Sequence, residues 1–249
     1  MKRLVAFDMD GTLALSKQRL DADMAGRLAK LLTVAKVAVI SGGDWPQFEK
    51  QVVSQMPTDA LVDGLFIMPT TGTKMYRHNG AGWQAVYADL FADEEKARII
   101  AAFHESLEAT GFKPEQTWGE LIEDRGSQIT FSALGQQAPL EAKEDWDPDF
   151  AKRKVIQADL KQRLAGFAIN LGGATSVDIT REGVNKATGL QKLADHSGIA
   201  TSDMIFIGDA IFPGGNDYPP FEAGIDCVKV KTIDDTRSAI DAIVICLKG

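Results

Sequence analysis

Two short apolar runs at opposite ends of the chain, each stopped by an aspartate, constrain the fold most. Leu4-Val5-Ala6-Phe7 ends at Asp8, and Met204-Ile205-Phe206-Ile207-Gly208 ends at Asp209. Unbroken runs of this kind, without polar alternation, read as strands covered on both faces, as in a parallel sheet. The neighbouring segments agree. Ala22 to Leu32 carries Met24, Ala25, Leu28, Leu31 and Leu32 at helical spacing. Val34 to Ile40 reads as a strand stopped at Ser41-Gly42-Gly43, Trp45 to Gln55 as a helix with Pro46 in its first turn, and Leu65 to Met68 as a third strand. From Lys186 the pattern resumes. Ala187 to His196 is a helix closed by Gly198, Met204 to Ile207 and Asp226 to Val230 are strands, and Asp234 to Cys246 is a terminal helix. This alternation predicts β-α-β units in an α/β fold.

The middle of the chain differs. Lys74 to Tyr87 contains His78-Asn79-Gly80-Ala81-Gly82, which marks a hairpin turn. A helix is expected over Asp93 to Ala109, strands over Glu120 to Asp124 and Ser127 to Ala133, and one helix over Asp145 to Leu164 with Pro148 in its first turn. Two more strands follow at Phe167 to Leu171 and Ser176 to Ile179. The expectation is an α+β domain, residues 81–184, inserted into a catalytic core made of residues 1–80 and 185–249.

Composition narrows the partners. The 249 residues include 35 acidic and 27 basic side chains, a net charge of −8, with 45% apolar residues. The acidity argues against nucleic acid or anionic membrane as a partner. No apolar run approaches the roughly 20 residues of a bilayer span, and the start lacks the apolar stretch of a signal peptide. Cys227 and Cys246 fit neither a disulfide framework nor a four-thiolate zinc site, so a reducing cytoplasmic setting is expected. His78, His104 and His196 share no metal-ligand spacing.

Chemistry concentrates at the strand ends. If the strands before Asp8 and Asp209 are neighbours, these carboxylates converge where parallel sheets bind ligands. Converging carboxylates repel unless a cation lies between them, and an oxygen-only site suits Mg²⁺. Asp8 is then placed to attack a phosphoryl group and form an aspartyl-phosphate. Asp10, two residues on, is placed to act as general acid and then base. The Ser41 hydroxyl and the Gly42 N–H, at another strand end, suit phosphoryl oxygens, and Lys186 at a helix start supplies a fixed positive charge.

Phe7-Asp8-Met9-Asp10-Gly11-Thr12-Leu13 resembles the first motif of the haloacid dehalogenase (HAD) superfamily. Ser41, Lys186 and Gly208-Asp209 match its second to fourth motifs in order. The segment Ile207-Gly208-Asp209-Ala210-Ile211-Phe212-Pro213-Gly214-Gly215-Asn216-Asp217-Tyr218 is similar to the fourth-motif loop of the phosphomannomutase branch. Val184-Asn185-Lys186-Ala187-Thr188-Gly189-Leu190 and Gly172-Gly173-Ala174-Thr175-Ser176-Val177-Asp178 resemble that branch too. The resemblance implies a Rossmann-like core with a C2-type cap, Asp8 as nucleophile, and Asp10 as acid/base. It implies Mg²⁺ on Asp8, the backbone carbonyl of Asp10, and Asp209, with Asp217 as a further ligand or a support. It places Arg125, Ser176 and Asp178 at phosphate- and sugar-binding positions of the cap, and it suggests a homodimer through the cap. Two positions depart from the branch. Gln136 follows Ser132-Ala133-Leu134-Gly135 where an arginine is expected, and Lys17 replaces an arginine expected to grip phosphate. A mutase holds a bisphosphorylated sugar in two orientations and relies on such arginines. The sequence therefore favours a Mg²⁺-dependent phosphatase of a small metabolite such as a sugar phosphate, with a phosphomannomutase or other phosphohexomutase as the alternative.

Overall fold

A computed structural model describes residues 1–112, 114, 116–172 and 175–248 of the chain. Gly173 and Ala174, within one of the family-like segments, lie outside the described residues. The chain divides into two compact units, Met1–Ala88 with Asn185–Gly249, and Asp89–Val184.

The first unit begins with β1 (Leu4–Phe7), α1 (Ala22–Leu32), β2 (Lys36–Ile40), α2 (Trp45–Gln51) and β3 (Leu65–Met68). A distorted turn, α3 (Pro69–Gly72), leads into the hairpin β4 (Lys74–His78) and β5 (Trp83–Ala88). The second unit contains α4 (Asp93–Thr110), β6 (Ile122–Asp124), β7 (Ile129–Ser132), α5 (Leu140–Trp146), α6 (Ala151–Arg163), β8 (Phe167–Gly172) and β9 (Ser176–Arg181). The chain then adds α7 (Lys186–Ser197), β10 (Met204–Gly208), α8 (Tyr218–Glu222), β11 (Asp226–Lys229) and α9 (Ile233–Leu247) to the first unit.

Seven strands form the first sheet in the order β11-β10-β1-β2-β3-β4-β5. The first five are parallel and the β4–β5 hairpin adds an antiparallel edge. Period-two alternation between two covered faces explains why β1 is apolar throughout and β2 is apolar after the exposed Lys36 that opens it. Val5, Phe7, Val37 and Val39 pack on one face with Met24, Leu28 and Leu31 of α1 and Ile240 of α9. Leu4, Ala6, Ala38 and Ile40 pack on the other with Leu190 and Leu193 of α7.

The hairpin corrects the expected boundary. Because β4 pairs with β3 and β5 with β4, the first unit runs to Ala88 and not to residue 80. Two shorter differences have local causes. Thr33 and Ala35 N–H close the end of α1 on Lys30 and Leu31 carbonyls, so β2 starts at Lys36. The helix expected to Gln55 stops at Gln51 and passes into a 3₁₀ turn over Val53–Gln55.

In the second unit a four-stranded antiparallel sheet, ordered β6-β7-β9-β8, packs Ile129, Phe131, Val177 and Ile179 against Ile99, Phe103, Ile156 and Leu160 of α4 and α6. The single helix expected over Asp145 to Leu164 is two helices. Pro148 excludes the α conformation at the residue before it, and Asp147 takes φ −150, ψ 61. Phe150 is left-handed at φ 63. Asp147 then does what a cap would do, accepting from Lys152 N–H at 2.9 Å and Arg153 N–H at 3.2 Å. It also pairs at 2.7 Å with the Arg153 guanidinium, both side chains being at most 1% exposed. Burial alone raises the Asp147 carboxyl, but the bonds from Arg153 and these N–H groups outweigh it and hold the group below its ordinary value. A depressed carboxyl stabilises the fold above its ordinary value and loses that contribution as pH falls. Asp147→Asn is expected to cost about 3–5 kcal/mol near neutral pH and to flatten the acid limb of a plot of melting temperature against pH.

Candidate active site

Parallel pairing puts the two strand-end aspartates side by side. Phe7 lies opposite Ile207, and Asp8 N–H donates to the Ile207 carbonyl at 2.9 Å. One carboxylate oxygen each from Asp8, Asp209 and Asp217 lies within 4.8 Å of the others. Gly11 makes this approach possible. Its φ of +85 is left-handed, and a Cβ there would stand 2.6 Å from the Asp209 carboxylate.

Lys186 joins the group from α7. It follows the N-cap Asn185, and its side chain is 2% exposed. Its ammonium donates to Asp8 Oδ1 at 2.5 Å and to Asp217 Oδ1. The other Asp217 oxygen accepts from Ala210 N–H at 3.0 Å, fixing the loop after β10. Burial, together with the nearby Asp217 charge, outweighs Lys186 and pushes the Asp8 carboxyl up to about 7. Burial and Asp217 also raise Asp209. Burial works against the Lys186 charge, yet Asp8 and Asp217 outweigh it and hold the ammonium above its ordinary value.

Three carboxylates against one ammonium leave a local excess of negative charge, and the donor set is oxygen alone. Both features fit a hard divalent cation. The Asp10 carboxylate is not part of the trio. It accepts from Lys17 N–H at 2.8 Å and from the Gln47 amide at 3.5 Å, and burial raises its pKa against those bonds. Lys17, exposed and left-handed at φ 58, engages Asp10 through its backbone N–H, and its charge also acts to lower that carboxyl.

Ser41 and Gly42 follow β2, the strand beside β1. The Ser41 carbonyl accepts from Thr71 N–H at 2.9 Å and the Gly43 carbonyl from Thr70 N–H at 2.8 Å. In the second unit Arg125 pairs with Glu123 at 2.6 Å. Thr130, opposite Asp178 in the β7–β9 ladder, donates to it at 2.7 Å. Burial raises the Asp178 carboxyl, with Arg125 the main opposing charge. Ser176 opens β9 opposite Ser132. The sequence reading did not find Gln47, Lys74 or the Thr70–Thr71 turn, because nothing in their local pattern marks them beyond a proline-initiated turn.

Comparison with solved structures places this fold. A haloacid dehalogenase-like hydrolase from Bacteroides thetaiotaomicron superposes with a TM-score of 0.63 at 16% identity, covering 98% of this chain and 100% of that one. An N-terminally truncated IMP-nucleotidase from Plasmodium falciparum gives 0.68 at 16% identity, covering 97% and 70%. The likeness is one of fold, shared with the haloacid dehalogenase-like hydrolase.

At the level of sequence, the family model described as eukaryotic phosphomannomutase matches residues 24–246. Phosphomannomutase 1 of Homo sapiens is 28% identical over 226 residues, 88% of this chain and 82% of that protein. The chain belongs to the phosphomannomutase family.

Two measurements probe the site. With the Asp8 pKa raised from 3.8 to about 7, the metal-free fold favours the protonated acid, and this contribution to stability is lost as pH rises between those values. A cation competes with that proton, so Mg²⁺ is expected to raise the melting temperature more at pH 8 than at pH 6. An equal shift at both would contradict the site. Lys186→Met leaves two buried carboxylates facing each other and is expected to cost about 3–5 kcal/mol by thermal denaturation without metal.

Proposed function

We propose that this chain is a phosphohexomutase that moves a phosphoryl group between the 1- and 6-positions of a hexose through an aspartyl-phosphate on Asp8. The observation that carries the reading is the grouping of Asp8, Asp209 and Asp217 around Lys186, in a chain whose family match runs over residues 24–246.

Asp8 attacks phosphorus while the bond to the leaving oxygen breaks and Asp10 protonates that oxygen. In the return step a sugar hydroxyl gives its proton to Asp10, its oxygen attacks the phosphoryl group, and Asp8 leaves as a carboxylate. Lys186 holds Asp8 in place, and Gly42 N–H with the Ser41 hydroxyl receives the phosphoryl oxygens. A Mg²⁺ ion on Asp8, Asp209 and Asp217 would neutralise charge on the nucleophile and the transferring group. Arg125, Ser176, Asp178 and Lys17 are assigned to the distal sugar and phosphate, and residues 89–184 to substrate selection.

The departures at Gln136 and Lys17 favour a second reading, a phosphatase of a small sugar phosphate. Against it, the family match over residues 24–246 favours the mutase. Purified protein given mannose 1-phosphate, Mg²⁺ and a trace of hexose 1,6-bisphosphate is expected to form hexose 6-phosphate faster than inorganic phosphate. Asp8→Asn and EDTA should each abolish the conversion, the substitution by at least roughly a thousandfold. Phosphate release in excess of isomer would favour the phosphatase. Neither product from any hexose phosphate would overturn both readings.

A further inference from the structure

The turn after β3 is built against the preferences of its own residues. Thr70 (φ 48, ψ 48) and Thr71 (φ 59, ψ 32) are consecutive β-branched residues in the left-handed region, an arrangement that costs energy at each position. Thr70 is fully buried, and its hydroxyl lies 2.6 Å from that of Thr73. Backbone outliers of this kind persist where the surroundings over-determine them, and here two sides do so.

One side is the loop after β2. Thr71 N–H reaches the Ser41 carbonyl and Thr70 N–H the Gly43 carbonyl. Two residues beyond the turn, the ammonium of buried Lys74 lies 2.7 Å from Asp44 Oδ1. The loop over residues 41–44 is thus held at three points by residues 70–74. The peptide bonds are trans, so carbonyl and N–H of one peptide unit point in opposite directions. Binding the Ser41 carbonyl to the turn therefore aims the Gly42 N–H away from it.

The other side is α7. A Cβ on Gly72 would stand 2.7 Å from the Gly189 Cα, and one on Gly189 would stand 3.0 Å from the Thr71 carbonyl. Gly189 is one helical turn beyond Lys186.

We infer that Thr70, Thr71 and Lys74 are positioning residues: the strained turn sets the direction of the Gly42 N–H and the seating of the Lys186 helix together. The inference rests on the phosphoryl-transfer reading of the site. It explains the retained strain, because a relaxed turn frees the 41–42 peptide to rotate and present a carbonyl oxygen where a phosphoryl oxygen must bind.

The test uses orthovanadate, a phosphoryl analogue, with the full-length chain and Mg²⁺. A backbone ester at Thr71 removes its N–H and keeps its side chain, and Lys74→Met removes the third anchor. Binding is read by calorimetry, and kcat and KM with an aryl phosphate. The expected result is a loss of about tenfold or more in orthovanadate affinity and in kcat for the ester. A smaller loss in the same direction is expected for Lys74→Met, with the Mg²⁺-induced rise in melting temperature kept in both. Unchanged orthovanadate affinity overturns the inference, as does a loss that tracks an equal loss of the Mg²⁺ response. If the ester does not fold, Lys74→Met decides by the same criteria. A wild-type chain that binds no orthovanadate overturns the phosphoryl-transfer reading itself and this inference with it.

Discussion

A single buried ammonium ties together three separate stretches of chain. Lys186 stands in the first turn of α7, where the helix dipole disfavours a cation, and burial adds a second penalty. The carboxylates of Asp8 and Asp217 offset both. Through these contacts α7, the end of β1 and the loop after β10 are held in one arrangement. The dependence is mutual, since each carboxylate would be costly to bury without the lysine. The site and the fold are therefore stabilised by the same few atoms, and its chemistry depends on changing the charge balance around them.

Elsewhere local cost is accepted where geometry demands it. The Thr70–Thr71 turn is left-handed to reach two carbonyls, and the break before α6 replaces a helical turn with the Asp147–Arg153 pair. The two cases differ in kind. The first is backbone strain beside the proposed phosphoryl site. The second is a buried ion pair whose carboxylate completes the hydrogen bonding of a helix start.

The sequence made the core legible because its signals are local and repeated. Leu4 to Phe7 and Met204 to Gly208 are apolar at every position since both sheet faces are covered, and α1 is buried at the five positions its spacing marks. Asp8 and Asp209 could be placed together because parallel strands end at one rim. The Lys186 contacts needed more than spacing, and the motif resemblance supplied that expectation. What stayed hidden depends on distant partners. The helix break at Asp147 follows from Pro148, but the same proline is equally at home in a helix's first turn, and only Arg153 decides between the two. The hairpin's membership in the first sheet depends on its pairing with β3. Gln47 beside Asp10 and Lys74 beside Asp44 have no sequence pattern at all.

The order of the sheet also has a consequence for how this protein is made. β1 pairs with β2, made soon after it, on one side but with β10, made much later in the chain, on the other. One edge of a wholly apolar central strand thus stays without its partner until Met204–Gly208 has been synthesised. Long-range parallel pairing of this type forms slowly, and an open strand edge is a route to aggregation. The nascent chain is consequently most dependent on chaperones while the second unit is being translated, and truncation before residue 204 would leave an adhesive edge with nothing to cover it.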